Sequence, residues 1–387
     1  MNLALTEEQQ AVRAMAQDFA KKEIIPNSEK WEREGRWPKE VVVQMGELGF
    51  FGAVIPQAYG GTDAGYVCHA LIVEEITRAT HIFSTAFNVQ GASVPKAILD
   101  WGTEEQKRRY VEDMVKGRLI GCHAITEPGA GSDVAGIQTT AVKKGDAYVL
   151  NGSKMWITYA PVADLALVFV KTMPKERHKG ISAFLVPTNV RGLTIRDMHA
   201  VSGSNCLPTG EMVFEDCQIP ASCLLGPENM GFKVAMKMLD STRVTIPARC
   251  IGVAQACIDA SVKYAKERMA FGQAIGNYQM IKGDIAEMIA RTEAGRMLVY
   301  RVAWLADQGK PSSLDGSIAK LFCGELANWA ASRAQFIHGA YGFHREFPVA
   351  RLMSEAQFMR IAEGTSFIHK LIIADDALGF KKANRTA

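Results

Sequence analysis

The 387-residue chain contains no Cys-x-x-Cys pair, no Gly-x-Gly-x-x-Gly run, no Gly-x-x-x-x-Gly-Lys-Ser/Thr loop and no His-x-x-x-His. Each gap removes a class of protein. Without the glycine-rich phosphate loops, a Rossmann or P-loop enzyme is disfavoured. Without clustered histidines, a metal site would have to be assembled from distant residues, and none is expected. The eight cysteines fall at irregular spacings, which fits free thiols in a reducing compartment rather than a disulfide framework or structural zinc. No serine sits in a Gly-x-Ser-x-Gly elbow, so a hydrolase nucleophile is missing too. Charge of one sign is also lacking: 44 Lys and Arg stand against 41 Asp and Glu, too even for a protein that binds nucleic acid through a dense phosphate-contacting surface. No apolar run is long enough to span a bilayer, and the first residues lack the basic start and apolar core of a secretory signal. The expectation is a soluble cytoplasmic protein with no integral membrane segment.

What is present is a change of texture along the chain. Thr6 followed by Gln9 is a capping-box pattern, and Val12, Met15 and Phe19 recur at helical spacing up to an expected break at Pro26. Further helices are expected near 37–49, 65–79, 91–100 and 103–116, so residues 1–120 read as a helical domain. Residues 121–228 change to short β-rich runs separated by Gly, Asn, Asp and Pro turns, the pattern of a small sandwich or barrel. Helical periodicity returns over 229–387, at 231–267 with a kink expected at Pro247, then 278–308, 312–340, 348–361 and 366–378. The fold class is therefore α+β, with an α, β, α order of three domains.

Three segments carry chemistry. ITEPGAGSDV, at 125–134, sits where the helical part passes into the β part. Its Pro and Gly residues let backbone amides approach a ligand, while Thr126 and Ser132 add hydroxyls. Standing alone, such a turn is usually only a turn. NGSKMWIT places Trp156 and Thr158 two residues apart, on one face of a strand, where an aromatic and a hydroxyl could flank a planar heterocycle. AEGTS places Glu363 in a Gly-containing break between two helices. Alone, Trp156 would be core and Glu363 a solvated helix end.

Taken together and in order, TEPGAGSD, KMWIT, PTGEMVFEDC, ERMAFGQAIGNYQ, HGAYGFHREFPVARL and AEGTS resemble the acyl-CoA dehydrogenase family over nearly the whole chain. The resemblance implies an N-terminal helical domain, a central β domain and a C-terminal four-helix domain, usually in a homotetramer. It implies FAD, and oxidation of an acyl-CoA thioester to the 2-enoyl-CoA: a carboxylate takes the α-proton while the flavin accepts the β-hydride. Electrons then pass to an electron-transfer flavoprotein.

Glu363 matches the family's base. Flavin contacts are implied for Thr126, Ser132, Trp156, Thr158, Arg268, Phe271, Gln279, Gln335, Gly339 and Thr365. CoA contacts are implied for Ser132, Phe232, Asp240 and Arg243, with Arg243 suited to the phosphate-bearing end. A second carboxylate position used by some branches is filled by Thr242, so a single acid is expected.

Departures from the family pattern bear on the acyl group. Ala362 replaces a common Tyr before the base and opens the cavity to a wider, branched or alicyclic acyl chain. Tyr159, Ser354, Glu355 and Phe367 also differ from common family residues. The sequence is most similar to the glutaryl-CoA and alicyclic-carboxyl-CoA dehydrogenase branch. Glutaryl enzymes place an Arg where this chain has Ser84, and a buried carboxylate without such a partner would cost several kcal/mol. Residues 82–98 also hold no acid that could replace Glu363 for a 1,4-elimination. The expected substrate is a neutral acyl-CoA, and Ser84, Gln90 and Ala362 are expected to shape its pocket. The alternatives are a cyclic enoyl-CoA dehydrogenase or reductase, then a glutaryl-CoA dehydrogenase or a CoA-binding protein without redox chemistry.

Overall fold

The structure, a computed structural model, describes residues 4–198 and 206–380. The tail from residue 381 lies outside the described residues. The first helix, α1 (Glu7–Phe19), begins at Thr6 with the expected capping box: Gln9 N–H donates to Thr6 Oγ1, and the Gln9 side chain accepts from the Thr6 amide. The expected break at Pro26 is absent. A wide, π-helical turn over Ala20–Ile24 runs without interruption into α2 (Ile25–Glu34), and the wider turn accommodates Pro26, which lacks the N–H to continue a regular α-helical ladder.

After α3 (Lys39–Glu47), α4 (Gly65–Ala79) is buried from Val67 to Thr77. It packs between α1 and the later α9 (Thr245–Glu267), so it is covered on both sides and has no polar face to show. A short turn α5 (Ser84–Ala86) runs into a second π-helical stretch, Phe87–Ser93, and on into α6 (Val94–Trp101). A π-turn widens the helix and re-aims its side chains, and here it carries Asn88. The helix α7 (Glu104–Val115) has its own capping box at Thr103 and Gln106.

The middle of the chain forms an eight-stranded sheet in the order β6-β7-β3-β2-β4-β5-β8, with β1 pairing β4. The strands are β1 (Gly121–Ala124), β2 (Thr140–Lys144), β3 (Ala147–Thr158), β4 (Leu165–Lys171), β5 (Ile181–Pro187), β6 (Leu193–Asp197), β7 (Thr209–Pro220) and β8 (Leu224–Leu225). Pairing is antiparallel except where β1 and the first residue of β2, Thr140, run parallel to β4. All seven residues of β4 are buried, as expected of a strand covered on both faces.

Helices then resume with α8 (Gly231–Ser241) and α9. The interruption falls at Thr242–Val244, not at Pro247, which sits in the first turn of α9 where proline is tolerated. The helices α10 (Gln279–Asp307), α11 (Ser313–His338), α12 (Pro348–Met359) and α13 (Ser366–Ala377) follow, with α11 packing against α9, α10, α12 and α13. A two-stranded hairpin, β9 (Met269–Ala270) and β10 (Gln273–Ala274), projects between α9 and α10. All eight cysteines are free, and seven of them are buried. Among the described residues no helix is long and apolar enough to cross a membrane.

Candidate active site

Glu363 stands in the turn between α12 and α13 with a left-handed backbone, φ 58°. Such a conformation is uncommon for a residue with a side chain and needs support from its surroundings. The support is visible. Gly364 follows at φ 95°, and the carbonyl of Gly364 accepts a 2.7 Å hydrogen bond from Nζ of the buried Lys320. Thr365 caps α13, its hydroxyl accepting from the amide of Ile368. Burial pulls the Lys320 ammonium below its ordinary range. The ring of His369 lies buried under the turn, beside the backbone of Glu363 and Gly364, and burial with the nearby positive charges of Lys320 and Arg243 pushes it down to about 3.

The Glu363 carboxylate is 11% exposed and is held from two sides. Asn88 Nδ2 donates to Oε1 at 3.1 Å, and Thr242 Oγ1 lies 2.8 Å from Oε2. His123 Nε2 approaches to 3.8 Å, while its Nδ1 meets Ser93 Oγ at 3.1 Å. Burial lowers the His123 pKa, which favours the neutral ring despite the neighbouring carboxylate. The base candidate is therefore fixed by neutral hydrogen-bonding groups, with no arginine or lysine paired to it among the described residues. Thr242, expected to mark the absence of a second acid, proves to be a direct partner of the first. Asn88 and His123 were not foreseen, because a neutral amide and a lone histidine carry no motif.

The glycine-rich segment is built around a buried ion pair. Lys154 Nζ lies 2.7 Å from Glu127 Oε1 and also donates to the carbonyl of Ile125. Glu127 further accepts from the amides of Gln138 and Thr139. Burial alone would raise the Glu127 carboxyl, but Lys154 and these donors hold it below its usual range, while burial brings Lys154 down to about 8. The pair pins the motif to β3, and the Met155 amide completes the seam by donating to Thr126 O at 2.9 Å. Gly129, Gly131 and Ser132 are then presented at the surface, with no atom within 4 Å of a Cβ built on either glycine.

Trp156 and Thr158 do not sit in plain i, i+2 register. A bulge between Lys154 and Ile157 puts Trp156 at φ 61° and leaves its side chain 57% exposed. A bulge re-aims a side chain, and an indole turned outward gives up burial free energy of about 1–2 kcal/mol. Further along, Phe271 at the hairpin tip is 98% exposed, Arg268 lies over the Tyr341 ring at 5.4 Å, and Gln279 is exposed at the start of α10. Gly339, at φ 59°, has open space around it, and Gln335 donates to Gly342 O. An exposed flat aromatic beside open glycines fits a planar, phosphate-bearing cofactor such as FAD, and the residues present suit it.

Phe232, half-buried in the first turn of α8, packs against His178 at 5.5 Å. Arg243 is not an open cation. Its Nη1 donates to Ser317 Oγ at 2.6 Å and to Ser313, and its Nη2 lies 3.4 Å from Asp240. Gln90 lies at the join of the helical part and the sheet. It is fully buried and its amide bridges backbone groups of Leu119 and Gly121, tying the helical part to β1. Ser84 is also fully buried, donating to His81 O and accepting from Arg249 Nε at 3.0 Å. Ala362 is half-buried beside the base.

The acyl-CoA dehydrogenase N-terminal, middle and C-terminal domain families match residues 6–118, 122–217 and 229–378. The chain is 41% identical to the "Probable acyl-CoA dehydrogenase YngJ" of Bacillus subtilis (strain 168), covering 98% of this chain and 100% of that protein. It is 38% identical to a glutaryl-CoA dehydrogenase of Desulfococcus multivorans, with both chains fully covered. Among solved structures, a glutaryl-CoA dehydrogenase in complex with glutaryl-CoA superposes with a TM-score of 0.95 at 37% identity, covering 99% and 98% of the two chains. A structure titled as the electron transferring flavoprotein of Acidaminococcus fermentans also gives 0.95, at 36% identity over 98% and 100%. A glutaryl-CoA dehydrogenase from Mycobacterium smegmatis in complex with FADH2 gives 0.92, at 28% identity over 98% and 96%. The chain belongs to the acyl-CoA dehydrogenase family, whose members are flavoprotein oxidoreductases acting on CH–CH groups.

Proposed function

We propose that the protein dehydrogenates an acyl-CoA thioester between its α and β carbons, with Glu363 as the base. The observation that carries this reading is the Glu363 carboxylate, largely shielded from water, held by Asn88 and Thr242 and unpaired with any cation of the described residues. A carboxylate fixed by two neutral donors keeps lone pairs free for a substrate proton. An ion pair would have made it a weaker base. FAD, when bound, supplies the hydride acceptor.

Thr242 suits both protonation states of the base. Its single hydroxyl proton has two acceptors in reach, Glu363 Oε2 at 2.8 Å and Leu239 O at 2.9 Å. When Glu363 is charged, the hydroxyl donates to it. Once Glu363 has taken the α-proton, the hydroxyl turns to Leu239 O and accepts from the new carboxylic acid. Lys320 and the Thr365 cap keep the base turn rigid through this change.

The glycine-rich turn with Thr126 and Ser132, together with Trp156 and Thr158, would hold the flavin end. Arg268, Phe271, Gln279, Gln335 and Gly339 would hold the nucleotide end, partly across a subunit boundary. Exposed Phe271, Met280 and Phe336, at 98%, 86% and 73%, support a homotetramer in which these side chains are covered. Electrons would leave to an electron-transfer flavoprotein, in a cytoplasmic setting, and the domains would divide at 120/121 and 228/229. The test is anaerobic titration of the purified flavoprotein with straight, branched, cyclic and dicarboxylic acyl-CoA thioesters. Bleaching of the flavin is expected with at least one class, and Glu363→Gln should retain FAD but lose bleaching. A flavin that no thioester reduces would sink the proposal.

A further inference from the structure

Arg249 has no counterpart in the reaction described above. It lies on α9, and its side chain is inside the protein, 2% exposed. Its Nε donates to Ser84 Oγ at 3.0 Å and its Nη2 to Thr85 Oγ1 at 3.2 Å. A guanidinium carries five N–H donors, and these two bonds to neutral hydroxyls do not neutralise its charge. No carboxylate of the described residues pairs with it. Two acids act on it through space without pairing with it: Glu363, held by Asn88 and Thr242, and Glu355, which faces His81 and, at 3.6 Å, Arg351. A buried cation left without an anion is costly, and where one persists a ligand that completes it is the natural explanation.

A second group beside it has the same need. Tyr159 is fully buried and close enough for the charge of Arg249 to act on its phenol. Its aromatic neighbour is Trp37, with ring centroids 5.0 Å apart, and an indole can only donate. The phenol proton of Tyr159 therefore has no acceptor among the described residues. The guanidinium has spare donors and the phenol a proton without an acceptor, and one negatively charged oxygen would satisfy both.

Their position gives the missing oxygen a source. Ser84, which receives Arg249, and Asn88, which receives Glu363, are four residues apart on one helical stretch, a separation of about 6 Å along the axis. The base thus stands at one end of this wall and the guanidinium one turn away. An acyl group whose α-carbon lies at Glu363 would reach toward Arg249 with its far end. We propose that Arg249 receives a carboxylate at the far end of the acyl group, so that the substrates are dicarboxylic acyl-CoA thioesters. This rests on the dehydrogenase reading of Glu363. It also reverses the expectation of a neutral acyl group, which followed from finding Ser84 where glutaryl enzymes place an arginine. The cation arrives at Ser84 from another helix.

The test pairs thioesters of equal chain length with and without the terminal carboxylate: glutaryl- against pentanoyl-CoA, adipyl- against hexanoyl-CoA, and pimelyl- against heptanoyl-CoA. Binding is measured by calorimetry on the FAD-loaded Glu363→Gln protein, in which bound thioester persists, and flavin bleaching is measured on the wild type. At least one dicarboxylic member should bind ten or more times tighter than its neutral partner, roughly the effect of one buried charged contact. Arg249→Met should erase about 100-fold of that affinity while leaving the neutral partner bound, and Arg249→Lys should keep the preference. Equal or weaker binding of all three dicarboxylic thioesters overturns the proposal, and so does a carboxylate preference that survives Arg249→Met. If Arg249→Met does not fold, the wild-type pairs and Arg249→Lys decide. Failure of the dehydrogenase reading shows separately, as a wild-type flavin that no thioester bleaches whatever the binding order.

Discussion

Replacing Lys154 by Met removes the cation at the heart of the glycine-rich segment without changing the length of the side chain much. The structure sets the scale of the damage. Lys154 is 0% exposed and Glu127 5% exposed at the side chain, so neither has water to fall back on. Lys154→Met deletes the 2.7 Å contact to Glu127 and the 3.1 Å bond to Ile125 O. Glu127 then keeps only the amides of Gln138 and Thr139, at 2.5 and 3.0 Å. Breaking a buried pair from one side costs about 3–5 kcal/mol, mostly the desolvation of the orphaned charge. Part of this is avoided if Glu127 takes up a proton, so the loss should be smaller at pH 5 than at pH 8.

Because Glu127 and Ile125 frame the turn that presents Gly129, Gly131 and Ser132, flavin retention should fall together with stability. Equilibrium urea unfolding at both pH values, with FAD content read from the visible absorbance after gel filtration, tests this. Lys154→Met combined with Glu127→Gln should recover a good part of the loss, since the buried charge is gone. A single Lys154→Met variant that loses under about 1 kcal/mol and keeps its full complement of FAD would refute the reasoning.

Three further outcomes are expected. Thr242→Val removes one of the two hydrogen bonds that orient the Glu363 carboxylate, and the misplaced base should slow stopped-flow flavin reduction about tenfold or more with FAD content unchanged. Gly364→Ala forces a side chain into φ 95° and brings its Cβ to 3.1 Å from His369 Nε2, so flavin reduction should collapse while the rest of the molecule stays folded by circular dichroism. His69 is fully buried, and burial pushes it down to about 4 from 6.5. Its native pKa lies below the unfolded one, so the unfolded chain binds the proton first as pH falls. Stability is whole above pH 6.5 and declines by about 3 kcal/mol toward pH 4, and His69→Gln should flatten that part of the denaturation profile.

The α, β, α order was legible because it is written in local periodicity. The capping boxes at Thr6 and Thr103 are set by residues near one another in the chain, whereas the burial of α4 depends on α9, some 180 residues further on. What local pattern missed shares a physical cause. β1 is four residues long, pairs parallel to β4 and is mostly buried, so it shows no alternation and no turn of its own. Pro26 and Pro247 look like breaks, yet Pro247 falls in the first turn of α9, and at Pro26 the chain stays helical behind a π-turn.

The site divides in the same way. Glu363 and the glycine-rich turn belong to short motifs that can be read locally in the sequence. The groups that decide what Glu363 does come from far along the chain: Asn88 is 275 residues away and Thr242 is 121. Arg249 is the sharpest case. On sequence grounds, a serine at position 84 argued that no cation waits for a distal carboxylate. That inference treats a backbone position as though it owned the volume beside it. A guanidinium on a four-atom stem can fill the same volume from a neighbouring helix, and Arg249 meets Ser84 across 165 residues of chain. Absence of a residue at a motif position therefore excludes the residue there but not the charge, and only packing shows which of the two the chemistry lacks.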